Sequence, residues 1–265
     1  MEKKSMNPIT SNKASRLFMI LGGFFVANAL IAEFIGIKIF SLEHTIGIDQ
    51  LNWDIVGGNL LSMDLTTGVL LWPIVFIMTD IINEYYGPKG VKFLSYGAVL
   101  LIFYAFLVVF LAIELPAPDW WLASQQEKDL GIDNMQNSYQ AIFGQGLWII
   151  VGSLVAFLVG QLVDVFVFHK IKRFTAERAL WLRATGSTLV SQLIDSFVVL
   201  FIAFYIGQGW DIGLVLGVAF MNYTYKFIVA ILLTPVLYFV HTLIDNYLGE
   251  ELSTKMRKEA MMGQK

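Results

Sequence analysis

Residues 65–113 read LTTGVLLWPIVFIMTDIINEYYGPKGVKFLSYGAVLLIFYAFLVVFLAI, and this stretch decides the fold. Leu65–Thr79 is 15 residues without a charge, and Phe93–Ile113 is a second charge-free run of 21. Between them stand Asp80, Asn83, Glu84, Tyr85, Tyr86, Gly87, Pro88, Lys89 and Lys92. A helix rises about 1.5 Å per residue, so crossing ~30 Å of hydrocarbon takes about 20 residues. Two spans joined by a tight basic connection fit this pattern. The first charge-free run covers only ~22 Å, so the helix must continue past Asp80 to cross. That puts a carboxylate near or inside the membrane boundary, with Asn83 and Glu84 on the same face at i+3 and i+4.

The rest of the chain repeats the theme. Of its 265 residues, 57% are hydrophobic and 15% charged, against about 25% charged in a soluble domain. Six segments are long enough to span: Leu17–Phe40, Leu65–Asn83, Phe93–Ile113, Leu147–Phe168, Thr185–Ile206 and Ile212–Val240. The first is read as an uncleaved span, because its apolar stretch outruns a signal-peptide core. Lysine and arginine crowd the N-terminal tail, the loop after the second span, the loop after the fourth and the C-terminal tail. The intervening connections are acidic and carry only Lys128. Positive residues mark the cytoplasmic side. The expectation is an all-α integral membrane protein of six transmembrane helices with both termini cytoplasmic. Residues 1–16 and 246–265 are then cytoplasmic tails around a transmembrane domain, 17–245, with outer loops 41–64 and 115–146. Pro116, Pro118, Trp120 and Trp121 predict a segment resting at the outer interface, either a simple anchor or a lid over a substrate entrance.

Composition also excludes. The absence of cysteine removes disulfides, thiolate zinc sites and cysteine nucleophiles, and His44, His169 and His241 show no metal-ligand spacing. A net charge of −3 gives no footprint for nucleic acid. No Gly-rich ATP loop, His-Glu-x-x-His motif or Gly-x-Ser-x-Gly elbow is present, so neither an ATPase nor an enzyme is expected.

What the spans do carry is buried charge. An Asp or Lys at a helix centre costs ~2.5–3.5 kcal/mol on insertion scales and usually faces the bundle interior for function. Asp80 stands on the second span, Gln161 and Asp164 on the fourth, and Thr188, Ser191, Gln192 and Asp195 on the fifth. Asn222 and Lys226 stand on the sixth at i, i+4. Asp195 and Lys226 match in depth and oppose in sign, so a structural ion pair is an alternative to a site. Glu33 and Lys38, toward the outer end of the first span, have a stronger structural reading, since Lys38 can snorkel to the surface. Gln161-Leu162-Val163-Asp164 echoes Gln192-Leu193-Ile194-Asp195 on a helix of opposite direction, and two such pairs could meet around one site.

A carboxylate beside a carboxamide suits a planar, donor-rich heterocycle. The carboxylate accepts two adjacent N–H donors, and the amide donates to a ring carbonyl. Trp72, Tyr85, Tyr96, Phe197 and Tyr223 are candidates for stacking. From the residues alone the expected function is transport of a small, polar, non-anionic and planar solute.

Three stretches resemble the queuosine-precursor transporter family, within the vitamin uptake transporter group. They are Thr79-Asp80-Ile81-Ile82-Asn83-Glu84-Tyr85-Tyr86-Gly87, then Gln161-Leu162-Val163-Asp164-Val165-Phe166 with Lys170 and Lys172, then Arg183 through Ser187 to Ser191-Gln192-Leu193-Ile194-Asp195-Ser196. The resemblance covers roughly residues 17–245, and Lys226 falls outside its motifs. It implies import of cyano- and aminomethyl-7-deazaguanine, the precursors of queuosine, across the inner membrane. The expected substrate-binding residues are Gln161, Asp164, Gln192, Asp195, Asp80, Glu84 and Asn222, with Arg183 and Lys226 in gating or an ion pair. A proton could couple transport, and facilitated diffusion with trapping inside is equally open. The rival reading is the substrate-binding subunit of an energy-coupling-factor importer. The partners expected are a purine-like small molecule and the lipid bilayer, with a homodimer left open and no cofactor.

Overall fold

The computed structural model describes residues 12–36, 38–50, 53–56, 59–124, 131–144, 147–175 and 180–262. Five apolar helical stretches are long enough to cross a membrane: Lys13–Ile35, Thr67–Ile113, Met135–Thr175, Thr185–Ile206 and Ile212–Leu232. The principal helices are α1 (Lys13–Ile35), α3 (Trp72–Ile113), α6 (Leu147–Thr175), α7 (Leu180–Leu200) and α8 (Ile212–Leu232). Shorter helices are α2 (Leu42–Ile46), α4 (Asp119–Leu122), α5 (Met135–Phe143), α9 (Thr234–Leu248) and α10 (Glu250–Met262).

The second and third expected spans run together in α3, whose 42 residues are interrupted at Gly87 (φ 68°, ψ −174°). Glycine adopts that left-handed φ without Cβ strain, and Pro88 lacks the N–H that a continuing helix would use. Gly87 is also packed tightly: a Cβ there would lie 3.0 Å from the Ala260 carbonyl oxygen on α10.

Three expected boundaries are corrected. The first span stops at Ile35 rather than Phe40, because Ile39–Ser41 (β1) pairs antiparallel with Asp64–Thr66 (β4), setting Phe40 opposite Leu65. The second span accordingly starts at Trp72 rather than Leu65, after a 3-10 turn over Thr67–Leu70, with Pro73 in the first turn where its missing N–H is harmless. Trp53–Val56 (β2) and Asn59–Leu61 (β3) pair as a second ribbon, so the loop 41–64 is a small β cap on an otherwise helical protein. Glu43 is buried within the cap and accepts the Met63 N–H at 2.7 Å. The third correction is in the sixth span, which breaks at Leu233 ahead of Pro235 into α8 and α9.

The distribution of polarity is inverted relative to a soluble domain. Phe93, Leu100, Phe103 and Leu111 are exposed on α3, while Asp80, Asn83, Glu84, Gln161, Asp164, Ser191 and Gln192 are buried. Lipid accepts the first group, and the second group must find partners inside. α6 and α7 approach closely through small residues: a Cβ on Gly160 would touch Asp195 Cβ at 3.4 Å, and one on Gly152 would be 3.1 Å from the Val199 carbonyl oxygen. α7 ends in a π-helical segment, Phe201–Ile206. In the loop 115–146, Trp120 is exposed, while Trp121, Tyr139 and Phe143 form a small aromatic cluster.

Candidate functional site

The polar stripes of α3, α6 and α7 meet. Thr79 Oγ1 donates to Gln161 Oε1 at 2.7 Å, joining α3 to α6. Asp80 accepts from Thr188 Oγ1 at 3.0 Å and Ser187 Oγ at 3.4 Å, joining α3 to α7. Ser191 Oγ stands 3.1 Å from Asp164 Oδ1, joining α7 to α6. Helical spacing produces this: Thr188, Ser191, Gln192 and Asp195 recur every three or four residues and so share a face. Buried polar atoms are nearly always satisfied. Here Gln161 Nε2, Asp164 Oδ2, Gln192 Oε1 and Ser196 Oγ are buried without a hydrogen-bond partner.

Beside this layer, toward the β cap, lies a cavity of about 680 Å3. Glu33, Trp72, Asp195, Ser196, Asn222 and Lys226 line it, and Asp64 and Thr66 of the cap lie along its edge. That volume is in the range that encloses small organic ligands. Lys226 Nζ meets Asp195 Oδ2 at 2.5 Å, so the ion pair weighed as an alternative is formed. A second pocket of about 10 Å3, lined by Asp80, Thr188, Gln192 and again Lys226, lies on the other side of the pair. It has room for about one water. Lys226 thus borders both spaces, with Asp195 on one side and Asp80 on the other.

The expected site residues therefore separate into groups. Asp195, Asn222 and Lys226 line the large cavity, and Asp80 and Gln192 line the small pocket. Gln161 and Asp164 sit in the α3–α6–α7 interface and line neither. Glu84 accepts from Lys172 Nζ at 3.0 Å, with Arg257 Nε 3.9 Å from its other oxygen, and also lines neither space. Arg183 lies on α7, but its side chain is outside the described residues. Of the stacking candidates, Trp72 lines the cavity, Tyr96 is exposed, and Tyr85 is committed to Asp245 at 2.8 Å and His241 at 3.0 Å.

Sequence reasoning discounted Glu33, which is buried, accepts from Ser153 Oγ and lines the cavity. Its signal was present: a carboxylate on a first span has no reason to be at that depth unless it faces inward. Near Gly87 a second network went unforeseen. His169 bonds Asn83 at 2.6 Å, and Arg257 of α10 binds the Asp245 carboxylate, to which Ser253 Oγ also donates at 2.5 Å. Asp245 lies beyond the expected spans. Its partial burial would raise its pKa, but the Arg257, Ser253 and Tyr85 donors outweigh burial and hold it below the usual carboxylate range.

Residues 66–240 match the family model described as "Putative vitamin uptake transporter". The chain belongs to this vitamin uptake transporter family. It is 32% identical to the "Probable queuosine precursor transporter" of Bacillus subtilis over 71% of this chain and 76% of that one. It is 24% identical to the protein of the same description in Haemophilus influenzae, over 87% and 88% of the two chains. To the "Queuosine precursor transporter" of Escherichia coli it is 24% identical, over 83% and 91%. No solved structure matches. A vitamin uptake transporter is a carrier of small-molecule solutes and not an enzyme. Family membership and the apolar helices together make this a multi-pass membrane protein, of the inner membrane in a bacterium.

Proposed function

We propose that this transporter imports queuosine precursors, the cyano- and aminomethyl-substituted 7-deazaguanine bases, through six crossings with both termini cytoplasmic. The break at Gly87 supplies the sixth crossing by dividing α3 into two spans. The placement of cations supplies the orientation. The observation that carries the substrate reading is the cavity itself. Its volume is ample for a purine-sized base, Asp195 and Asn222 present the carboxylate and carboxamide such a base needs, and Trp72 offers a face.

Asp195 accepts the adjacent N–H donors of the base and Asn222 addresses the ring carbonyl. Lys226 cannot stay bound to Asp195 while the base binds it, and Asp80 borders the pocket on Lys226's other side. Transfer of the ammonium from Asp195 toward Asp80 couples loading of the base to a change between α7, α8 and α3. Gln192, Gln161 and Asp164 then provide polar groups along the next part of the path, and Glu84 lines its inner end. A proton moving with the base is the coupling this scheme would use.

The test is uptake of labelled bases in proteoliposomes holding only this chain. Both deazaguanines accumulate, guanine and adenine compete poorly, and a protonophore lowers the accumulation. No uptake of either base would refute the substrate. Uptake only with an added ATPase module would turn the chain into a subunit of an energy-coupling-factor importer.

A further inference from the structure

We infer that the C-terminal helix α10 is an autoinhibitory strap: it clamps the hinge of α3 at Gly87, and its release limits the opening of that end of the bundle. The inference needs the chain to be a transporter, which its family establishes, and does not depend on which solute it carries.

α10 grips α3 both at the pivot and on the half that would turn about it. At the pivot the contact is backbone against backbone. A Cβ on Gly87 would lie 3.0 Å from the Ala260 carbonyl oxygen and 3.3 Å from the Ala260 Cα. Gly87 is the position inside α3 with non-helical φ and ψ, so a change of angle between the two halves of the helix is absorbed there. With Ala260 against it, Gly87 cannot turn freely while α10 stays docked. On the half that would turn, Arg257 reaches the residues just before the pivot. Its Nη2 is 3.3 Å from the Tyr85 hydroxyl, its Nε is 3.9 Å from the Glu84 carboxylate, and its guanidinium carbon lies 5.3 Å from the centre of the Tyr85 ring. The same guanidinium binds the Asp245 carboxylate of α9, which also accepts from Tyr85 at 2.8 Å and from Ser253 at 2.5 Å. One arginine therefore ties α10 to α3 and α9 together.

The strap is also built to come away. Glu250, Glu251, Lys255, Lys258 and Glu259 make its outward face charged and exposed. Among its described residues, Met256 and Ala260 are the buried apolar ones, with Leu252 half-buried beside them. So narrow an apolar face leaves much of the docking to the polar contacts of Arg257 and Ser253. The joint to α9 is Gly249, at φ 87°, and a Cβ there would meet nothing within 4 Å. α10 can swing at that joint without dragging α9 with it. A helix that served only to stabilise α3 would need neither the open joint nor a grip on the one residue where α3 bends.

The full-length chain has no cysteine, so a single cysteine can time the opening. Ile77 lines the small pocket beside Asp80, and Ile77→Cys reports when water reaches it. Its reaction with a small impermeant methanethiosulfonate is followed from the face where α10 lies, with Arg257→Ala, Ser253→Ala or Glu259→Gln added. Hydrogen exchange of residues 250–262 reads the release of α10, and a thermal melt shows that each variant is folded. Arg257→Ala should label about fivefold faster, the shift expected when a partly exposed ion pair is lost. Ser253→Ala should label faster by a smaller factor, and the exposed Glu259→Gln at the wild-type rate. The initial rate of base uptake by Arg257→Ala in proteoliposomes should rise in step with its labelling. Unchanged labelling in a variant whose α10 is released would overturn the inference, and so would slower uptake by a folded Arg257→Ala. If Arg257→Ala does not fold, Ser253→Ala decides by the same criteria. Uptake of neither deazaguanine by the wild type would remove the substrate reading, and the labelling rates would still decide on the strap.

Discussion

Asp195 and Lys226 can be separated into a structural pair and a working site by a double-mutant cycle. Their side chains are 12% and 6% exposed and 2.5 Å apart. Removing one charge of such a pair leaves the other buried without compensation, which costs about 3–5 kcal/mol. Lys226→Met isolates the Asp195 carboxylate and should cost the full amount, a fall in Tm on the order of 10 °C for a chain of this size. Asp195→Asn isolates the Lys226 ammonium, which has no other carboxylate within ion-pair distance among the described residues, so its cost should be comparable. The double variant Asp195→Asn/Lys226→Met removes both charges together and should recover stability to within about 1 kcal/mol of wild type. Uptake should behave differently. If Asp195 holds the base, the double variant is stable and inactive, with less than about a tenth of wild-type uptake. Thermal melts in detergent and uptake in proteoliposomes read the two quantities on the same preparations. A double variant that transports at the wild-type rate would show that the pair only holds helices together, and the site would have to be elsewhere.

Three other outcomes are expected. Gly87→Ala should destabilise the protein by at least about 1–2 kcal/mol in a thermal melt, because it places a side chain at φ 68° and 3.0 Å from the Ala260 carbonyl. The contact between Asp245 and Arg257 should hold α10 in place without change from pH 8 to pH 5. A carboxyl held below its ordinary value of about 3.9 contributes in full above that value and is lost only as pH falls through its lower folded-state pKa. Hydrogen exchange of residues 250–262 should show that plateau, and Arg257→Ala should raise the exchange at every pH. The chain has no cysteine, so single cysteines report topology directly. One at Ser5 and one at Thr254 should react with an impermeant reagent only from the cytoplasmic face, and one at Thr45 only from the other.

The spans were legible because lipid imposes a simple length rule on apolar runs, and their errors have local causes. Phe40 and Leu65 are apolar and adjoin apolar runs, so hydropathy assigns them to helices, yet they oppose one another in a β pair that no periodicity announces. Pro235 could have signalled the end of α8, and the length of the apolar run masked it. The polar layer was legible from helical spacing and depth: Asp80, Asp164 and the Ser191 stripe do come together. Which of those residues face open space was not legible. Burial and cavity lining are tertiary properties: Gln161 and Gln192 share a local pattern, and of the large cavity and the small pocket Gln192 lines the small one while Gln161 lines neither. Arg257 lies in a tail with polar composition, so its insertion against Tyr85 and Asp245 depends on the turn at Gly249, whose φ is 87°.

The two ends of the bundle are built unequally, and that inequality limits how transport can proceed. The end near the β cap holds the large cavity. The end near Gly87 is tied by Asn83 to His169, Glu84 to Lys172, Tyr85 to His241, and Asp245 to Arg257. These four ties join three pairs of elements: the first two join α3 to α6, the third joins α3 to α9, and the last joins α9 to α10. On the proposed path, a base leaving Asp195 toward that end would pass where α3 separates from α6, and this would need the Glu84–Lys172 and Asn83–His169 contacts to yield together. Gly87 lies three residues beyond Glu84, at the one place where α3 already departs from helical geometry. A swing of the Trp72–Tyr86 half about Gly87 would open both contacts without disturbing the second half of α3. Since α10 packs on Gly87 through Ala260, the C-terminal helix must move with that swing or resist it.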